Sequence, residues 1–195
     1  MWLISTAMIL FTNTALADAI PSTGPLPDDA FYSLVSCGAK PGPACAKPHR
    51  AWPQSQVRDL TVSIAMVQNG YPTKKAALLR RSNDRAIQDI NGQRSKARLR
   101  WRKPGEAANI AIYMVNSAQG HRMRATQESG LDGRRVGNAT VISVRKGAVI
   151  NRGIIAFSRS MRNSEADSIA LEEIYQALGF MHDIKIPAYR NRSIF

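Results

Sequence analysis

The 195-residue sequence is poor in the side chains that commonly bind metals or act as nucleophiles, with three histidines and two cysteines. It has no Gly-x-Ser-x-Gly segment, the turn that presents the serine of many hydrolases. Zinc-knuckle cysteines and the aromatic signature of RNA-binding domains are also absent. These absences exclude a serine hydrolase of that type, a zinc finger and the common RNA-binding modules as sequence-based assignments.

Acidic residues are scarce as well. The chain has 27 Lys and Arg against 14 Asp and Glu, a formal net charge of +13. Such an imbalance predicts non-specific attraction to polyanions, whether nucleic acid, anionic lipid headgroups or acidic envelope polymers. An acidic envelope polymer or a protein is the expected partner.

The longest apolar stretch is the first one, MWLISTAMILFTNTALA. It ends in Ala15-Leu16-Ala17, which fits the small-residue rule for signal-peptidase cleavage before Asp18. We therefore expect a signal peptide over residues 1–17 and a secreted or periplasmic protein. The stretch is short for a membrane span and contains several polar residues, so we expect no integral membrane protein after cleavage.

Residues 18–56 contain seven of the ten prolines and predict an extended segment, with one short element at the apolar cluster Phe31–Val35. Cys37 and Cys45 lie in this segment. In an exported protein two nearby cysteines favour a disulfide, and free thiols are the alternative.

Residues 57–195 predict one α+β domain. A helix is expected over 73–90, with Ala76, Ala77, Leu79, Ile87 and Ile90 in the core, and a second over 165–178. Alternating or continuous apolar residues predict strands at 60–64, 97–101, 109–115, 138–144 and 154–157, and residues 65–67 fit either a strand or a short helix. The polar stretch 119–137 predicts a long exposed connection.

The second helix carries the most specific pattern, LEEIYQALGFMHD over residues 171–183. Helical spacing predicts a buried stripe, and it places Glu172 and Gln176 together on another face with Glu173 beside them. The expected stripe comprises Ala170, Leu171, Ile174, Ala177, Leu178 and Met181.

This pattern resembles the metzincin zinc-protease signature, H-E-x-x-H-x-x-G-x-x-H-D. Glu173 matches the catalytic glutamate, Gly179 the turn glycine and His182 the third zinc ligand, with Asp183 after it. Glu172 and Gln176 stand where the two helical histidines belong. The resemblance implies a zincin-like mixed sheet packed by two helices, the second carrying the motif, with metal-binding positions at 172, 176 and 182.

The pattern is also similar to a family of secreted bacterial domains of unknown function, with the signature E-E-x-x-Q-x-L-G-L-x-N-D followed by S-I-F. Ser193-Ile194-Phe195 stands at the corresponding place, and His182 replaces the usual Asn. A neutral amide is a poor zinc ligand. We therefore expect no cofactor and a degenerate metallopeptidase with a binding or structural role in the cell envelope.

Three other interpretations remain open at this point. The protein is an active metal-dependent hydrolase if Glu172 and His182 bind zinc and Glu173 is the general base. The acidic residues of the helix are otherwise a solvated face. A third class is a polyanion-binding module, because Arg98, Arg100 and Arg102 alternate with apolar residues and predict a strand with one basic face.

Overall fold

The computed structural model describes residues 20–21, 24–39, 45, 48–182 and 184–185, with the backbone alone at 20–21 and 184–185. The predicted signal peptide, Asp183 and the segment 193–195 lie outside the described residues. Within the described part of the chain, no helix combines the length and the hydropathy that a membrane span requires.

The described residues form seven strands, four α-helices and one 3₁₀ turn. The strands are β1 (Ile20–Pro21), β2 (Leu60–Val67), β3 (Leu99–Trp101), β4 (Ile110–Val115), β5 (Ala139–Lys146), β6 (Val149–Ser158) and β7 (Ile184–Lys185). The α-helices are α1 (Asp28–Cys37), α2 (Gln54–Val57), α3 (Thr73–Gly92) and α4 (Ala166–Leu178), and a 3₁₀ turn, Asn163–Glu165, precedes α4.

Five strands form the central sheet, in the order β3-β2-β4-β6-β5. The first four are parallel, and β5 pairs antiparallel with β6 at one edge. The short strands β1 and β7 form a separate parallel pair. The prediction of an α+β fold, with a mixed sheet packed by two helices and the motif on the second, is confirmed at this level.

Both α3 and α4 pack on one face of the sheet. Their apolar residues join alternate residues of β2, β4 and β6 in the larger of two buried clusters. Gly153 on β6 allows α4 to approach the sheet closely, since a Cβ there would lie 3.3 Å from the Cβ of Ala177. The prediction for α3 is wrong at Ala77, which is exposed, whereas its neighbour Leu78 packs against the core.

The opposite face of the sheet is covered by the connection between β4 and β5. The long connection predicted over 119–137 is confirmed and most of its residues are exposed, but the prediction is wrong at three of its apolar residues. Met123, Leu131 and Val136 are buried there against β4 and β6. The polar residues of the loop bond within it: the Thr126 hydroxyl donates to Asp132 Oδ1 at 2.6 Å. Three widely spaced apolar residues of the connection are enough to form this second buried cluster, because the strands of the sheet supply its other members.

Candidate functional site at the end of the motif helix

The buried stripe of α4 includes Glu173, which is 7% exposed. The sequence pattern predicts this residue beside Glu172, outside the buried stripe. A turn of 100° per residue instead aligns position 173 with positions 169, 170 and 177. Leu171 and Leu178, expected in the core, are half-buried. The buried residues of the helix are Ala166, Ile169, Ala170, Glu173, Ile174 and Ala177.

The helix ends at Gly179 in the hydrogen-bond pattern of a Schellman motif. The N–H of Gly179 donates to Gln176 O at 3.0 Å and that of Phe180 to Tyr175 O at 3.2 Å. The rings of Tyr175 and Phe180 pack edge to face, with centroids 5.8 Å apart. Gly179 has a φ of 121°, which a residue with a Cβ rarely adopts.

The N-terminal segment crosses this helix end. Trp52, 5% exposed, donates its indole N–H to Ala177 O at 3.0 Å and so pairs one of the last carbonyls of the helix. A Cβ at Gly179 would overlap the carbonyl oxygen of Arg50. Next to it, Ala51 bridges to Val149 at the start of β6. Gly179 is therefore needed both for its own backbone and for the approach of the segment.

Glu172 and Gln176 lie one turn apart and are half-buried. The Gln176 amide donates to Glu172 Oε1 at 3.3 Å. The predicted i,i+4 pair on one face is thus present in the structure. The two side chains that stand in place of zinc-binding histidines interact with each other.

His182 lies against the last turn of α1. Its backbone N–H donates to Val35 O at 3.1 Å. Its ring covers Gly38, where a Cβ would stand 3.0–3.2 Å from the ring atoms. The predicted third metal ligand is therefore packed on the N-terminal segment.

The predicted Cys37–Cys45 disulfide is present and follows α1. His49 faces it, with Nε2 3.3 Å from Cys45 Sγ and Nδ1 2.7 Å from the hydroxyl oxygen of Ser36. Among the described residues, these two cysteines and His49 are the only group of three or more His, Cys, Asp or Glu side chains with ligand atoms within 4.8 Å of one another. The disulfide occupies both thiols, and Glu172, Glu173 and His182 do not form such a group.

The residues at the motif positions do not fit a catalytic zinc ion. Such an ion is held by three converging ligands, mostly His, Cys or carboxylate. Here one position offers a neutral amide, which donates to its neighbouring carboxylate, and Glu172, Glu173 and His182 do not bring their ligand atoms together.

The arginine row lies on and beside β3, at the edge of the sheet opposite β5. Arg98, Arg100 and Arg102 are exposed, and Leu99 between them is buried, as the alternation predicts. Arg100 pairs with Asp59, at 2.5 Å from Nε to Oδ1. Arg102 lies 4.0 Å from Glu106, and Arg98 donates to backbone carbonyls. Two of the three guanidinium charges therefore have acidic neighbours.

No protein-family model matches the chain, and no curated protein sequence matches it. The contacts that sequence reasoning missed are those of Arg50 and Trp52 with the end of α4. A single tryptophan among prolines was the available signal, because a large apolar ring in a segment without its own core must pack elsewhere.

Proposed function

We propose that this chain is an exported, metzincin-like domain that does not hydrolyse peptides and that has a binding or structural role in the cell envelope. The sheet supports this reading, since the motif helix follows the last strand of a mixed five-stranded sheet and packs beside a second helix. Gly179 and His182 of the motif then serve to join the end of α4 to the N-terminal segment.

The hydrogen bond between Gln176 and Glu172 is the observation that carries the proposal. At these two positions a zinc peptidase needs electron-pair donors directed at one metal ion. Here the Gln176 amide donates to the Glu172 carboxylate instead, so these two side chains interact with each other without a metal ion.

A peptidase assay with added zinc tests the proposal. The protein and its Glu173→Gln variant should both leave a mixed peptide substrate intact over the same time course. Zinc-dependent cleavage by the protein, abolished by Glu173→Gln while metal content is kept, would instead assign the active hydrolase, with Glu172 and His182 as ligands.

Polyanion binding is a second candidate, favoured by the exposure of Arg98, Arg100 and Arg102 along one edge strand. Retention on heparin should then fall steeply with salt, because counterion release dominates such binding. The triple Arg→Gln variant should elute at lower salt than a variant with Arg80, Arg81 and Arg85 changed likewise. Equal elution of the two variants would assign retention to net charge alone.

A further inference from the structure

A cleft of about 560 Å³ opens at the carboxyl ends of β2 and β4, which are distant in sequence from the motif helix. Its lining comes from three segments: residues 66–69, residues 116–117, and Arg122, Arg124, Ala125 and Gln127 of the long connection. The volume suits a small organic molecule, since ligand sites commonly enclose 300–1,000 Å³.

The topology of the sheet makes this place a natural binding crevice. From the end of β2 the chain turns to α3, on the helical face. From the end of the neighbouring β4 it enters the connection that covers the opposite face. Adjacent parallel strands whose connections diverge in this way leave a gap at their carboxyl ends, and open parallel sheets bind ligands in such gaps.

The lining is positively charged and contains no carboxylate. Arg122 and Arg124 contribute the charge, and none of the ion pairs among the described residues includes either of them. Gln68 holds the loop in place: its Oε1 accepts from the Asn116 N–H at 2.7 Å and its Nε2 donates to Arg124 O at 2.7 Å. The backbone that carries Arg124 is thus fixed to the ends of both strands.

The same loop contains unfavourable backbone geometry. Ala125 and Gln127, with φ of 53° and 56°, are the only residues other than glycine with positive φ in the described chain. Both line the cleft. A Cβ makes this conformation costly, and it persists where the surroundings demand it, often at ligand sites.

We propose that this cleft binds a small molecule bearing a phosphate or carboxylate group, with Arg122 and Arg124 as its cationic contacts. Guanidinium groups match both anions because their planar donors bond two oxygens at once. The site is separate from the motif helix and does not depend on whether the motif is catalytic.

Titration of the full chain with inorganic phosphate and, in a second arm, with citrate tests the site. Amide NMR signals are followed at 0.15 M NaCl, where long-range attraction is screened. Saturable shifts at residues 68, 69, 116 and 117 are expected with at least one anion, and the arm that saturates identifies the favoured group. Arg124→Gln should weaken that binding roughly tenfold, the effect of losing one charge-assisted contact, and Arg124→Lys less.

Arg134→Gln is the matched control. It removes the same charge from an exposed position of the same connection outside the lining. It should change the dissociation constant less than about twofold, because screened long-range attraction contributes little. The proposal is overturned if neither anion gives saturable shifts at the cleft, or if Arg134→Gln weakens binding as much as Arg124→Gln.

Discussion

The two ends of α4 are attached to the molecule by different means. At its first turn, Asp167 accepts hydrogen bonds from Ser82, at 2.5 Å, and from Arg85, both on α3. The Arg85 and Asp167 side chains are 51% and 60% exposed. At its last turn, the buried indole of Trp52 and the backbone of Arg50 close directly on Ala177 and Gly179.

The first turn is held by exposed contacts, which water screens, and the last turn by buried contacts, which water does not reach. An exposed ion pair contributes little to stability, whereas a buried hydrogen bond and a close backbone crossing are costly to lose. The motif residues lie at the buried end. The glycine at protease-like spacing is thus explained by packing, so its spacing by itself is weak support for catalysis.

Of the substitutions that test this comparison, Gly179→Ala should cause the largest loss of stability. The new Cβ would require a rare φ and would displace Arg50, for a loss of roughly 2–5 kcal/mol in the free energy of unfolding. Chemical denaturation measures it. Gly147→Ala is the control, because Gly147 also has a positive φ but no neighbouring atom within 4 Å, and it should cost only about 1 kcal/mol. Equal losses of stability in the two variants would show that the close approach of Arg50 to Gly179 adds nothing to the cost of the substitution.

Trp52→Phe should have the next largest effect. It leaves the carbonyl of Ala177 without its indole donor in a buried place, which costs about 1–3 kcal/mol. Trp101→Phe is the matched change, since the indole nitrogen of Trp101 has no hydrogen-bond partner within the described chain. Thermal denaturation of both variants gives the comparison. A larger loss at Trp101 would contradict the proposed attachment of the helix end.

Asp167→Asn should have the smallest effect, below about 1 kcal/mol at neutral pH. The hydrogen bonds from Arg85 and then from Ser82 lower the pKa of Asp167 from its usual 3.8. A carboxyl with a lower pKa in the folded state stabilises the protein above its unfolded pKa and loses that contribution as the pH falls through its folded pKa.

Stability curves of the protein and this variant should therefore converge below about pH 3.8. A double-mutant cycle with Arg85→Gln isolates the pair. A constant difference between the curves down to pH 2 would rule out the ion pair as its source.

Apolar patterns, together with helix start and stop residues, predicted α3, α4 and part of each of the five strands of the central sheet. The first half of β6 was missed, since the strand begins at Val149 and not at 154. These patterns did not predict the buried residues of the connection over 119–137. There Met123, Leu131 and Val136 follow no helix or strand period, and their burial depends on a sheet face that the sequence does not show.

Within the site, the Glu172–Gln176 pair followed from helical spacing, and the disulfide from two nearby cysteines. The burial of Glu173 was missed because a charged residue is normally assigned to the surface. Its spacing from Ala170 and Ala177 did indicate the core stripe. The crossing of Arg50 over Gly179 joins residues distant in sequence, and no local pattern encodes such a contact.

Elemental analysis of the purified, disulfide-intact protein tests the structural role of the motif most directly. We expect less than stoichiometric zinc, and no change in metal content on Glu172→Ala or His182→Ala, because these residues do not converge on one ion. The His49→Ala variant should lose any metal that is held beside the disulfide, and so it distinguishes such metal from metal bound at the motif. One zinc per chain that is kept in His49→Ala and lost in Glu172→Ala would contradict the account.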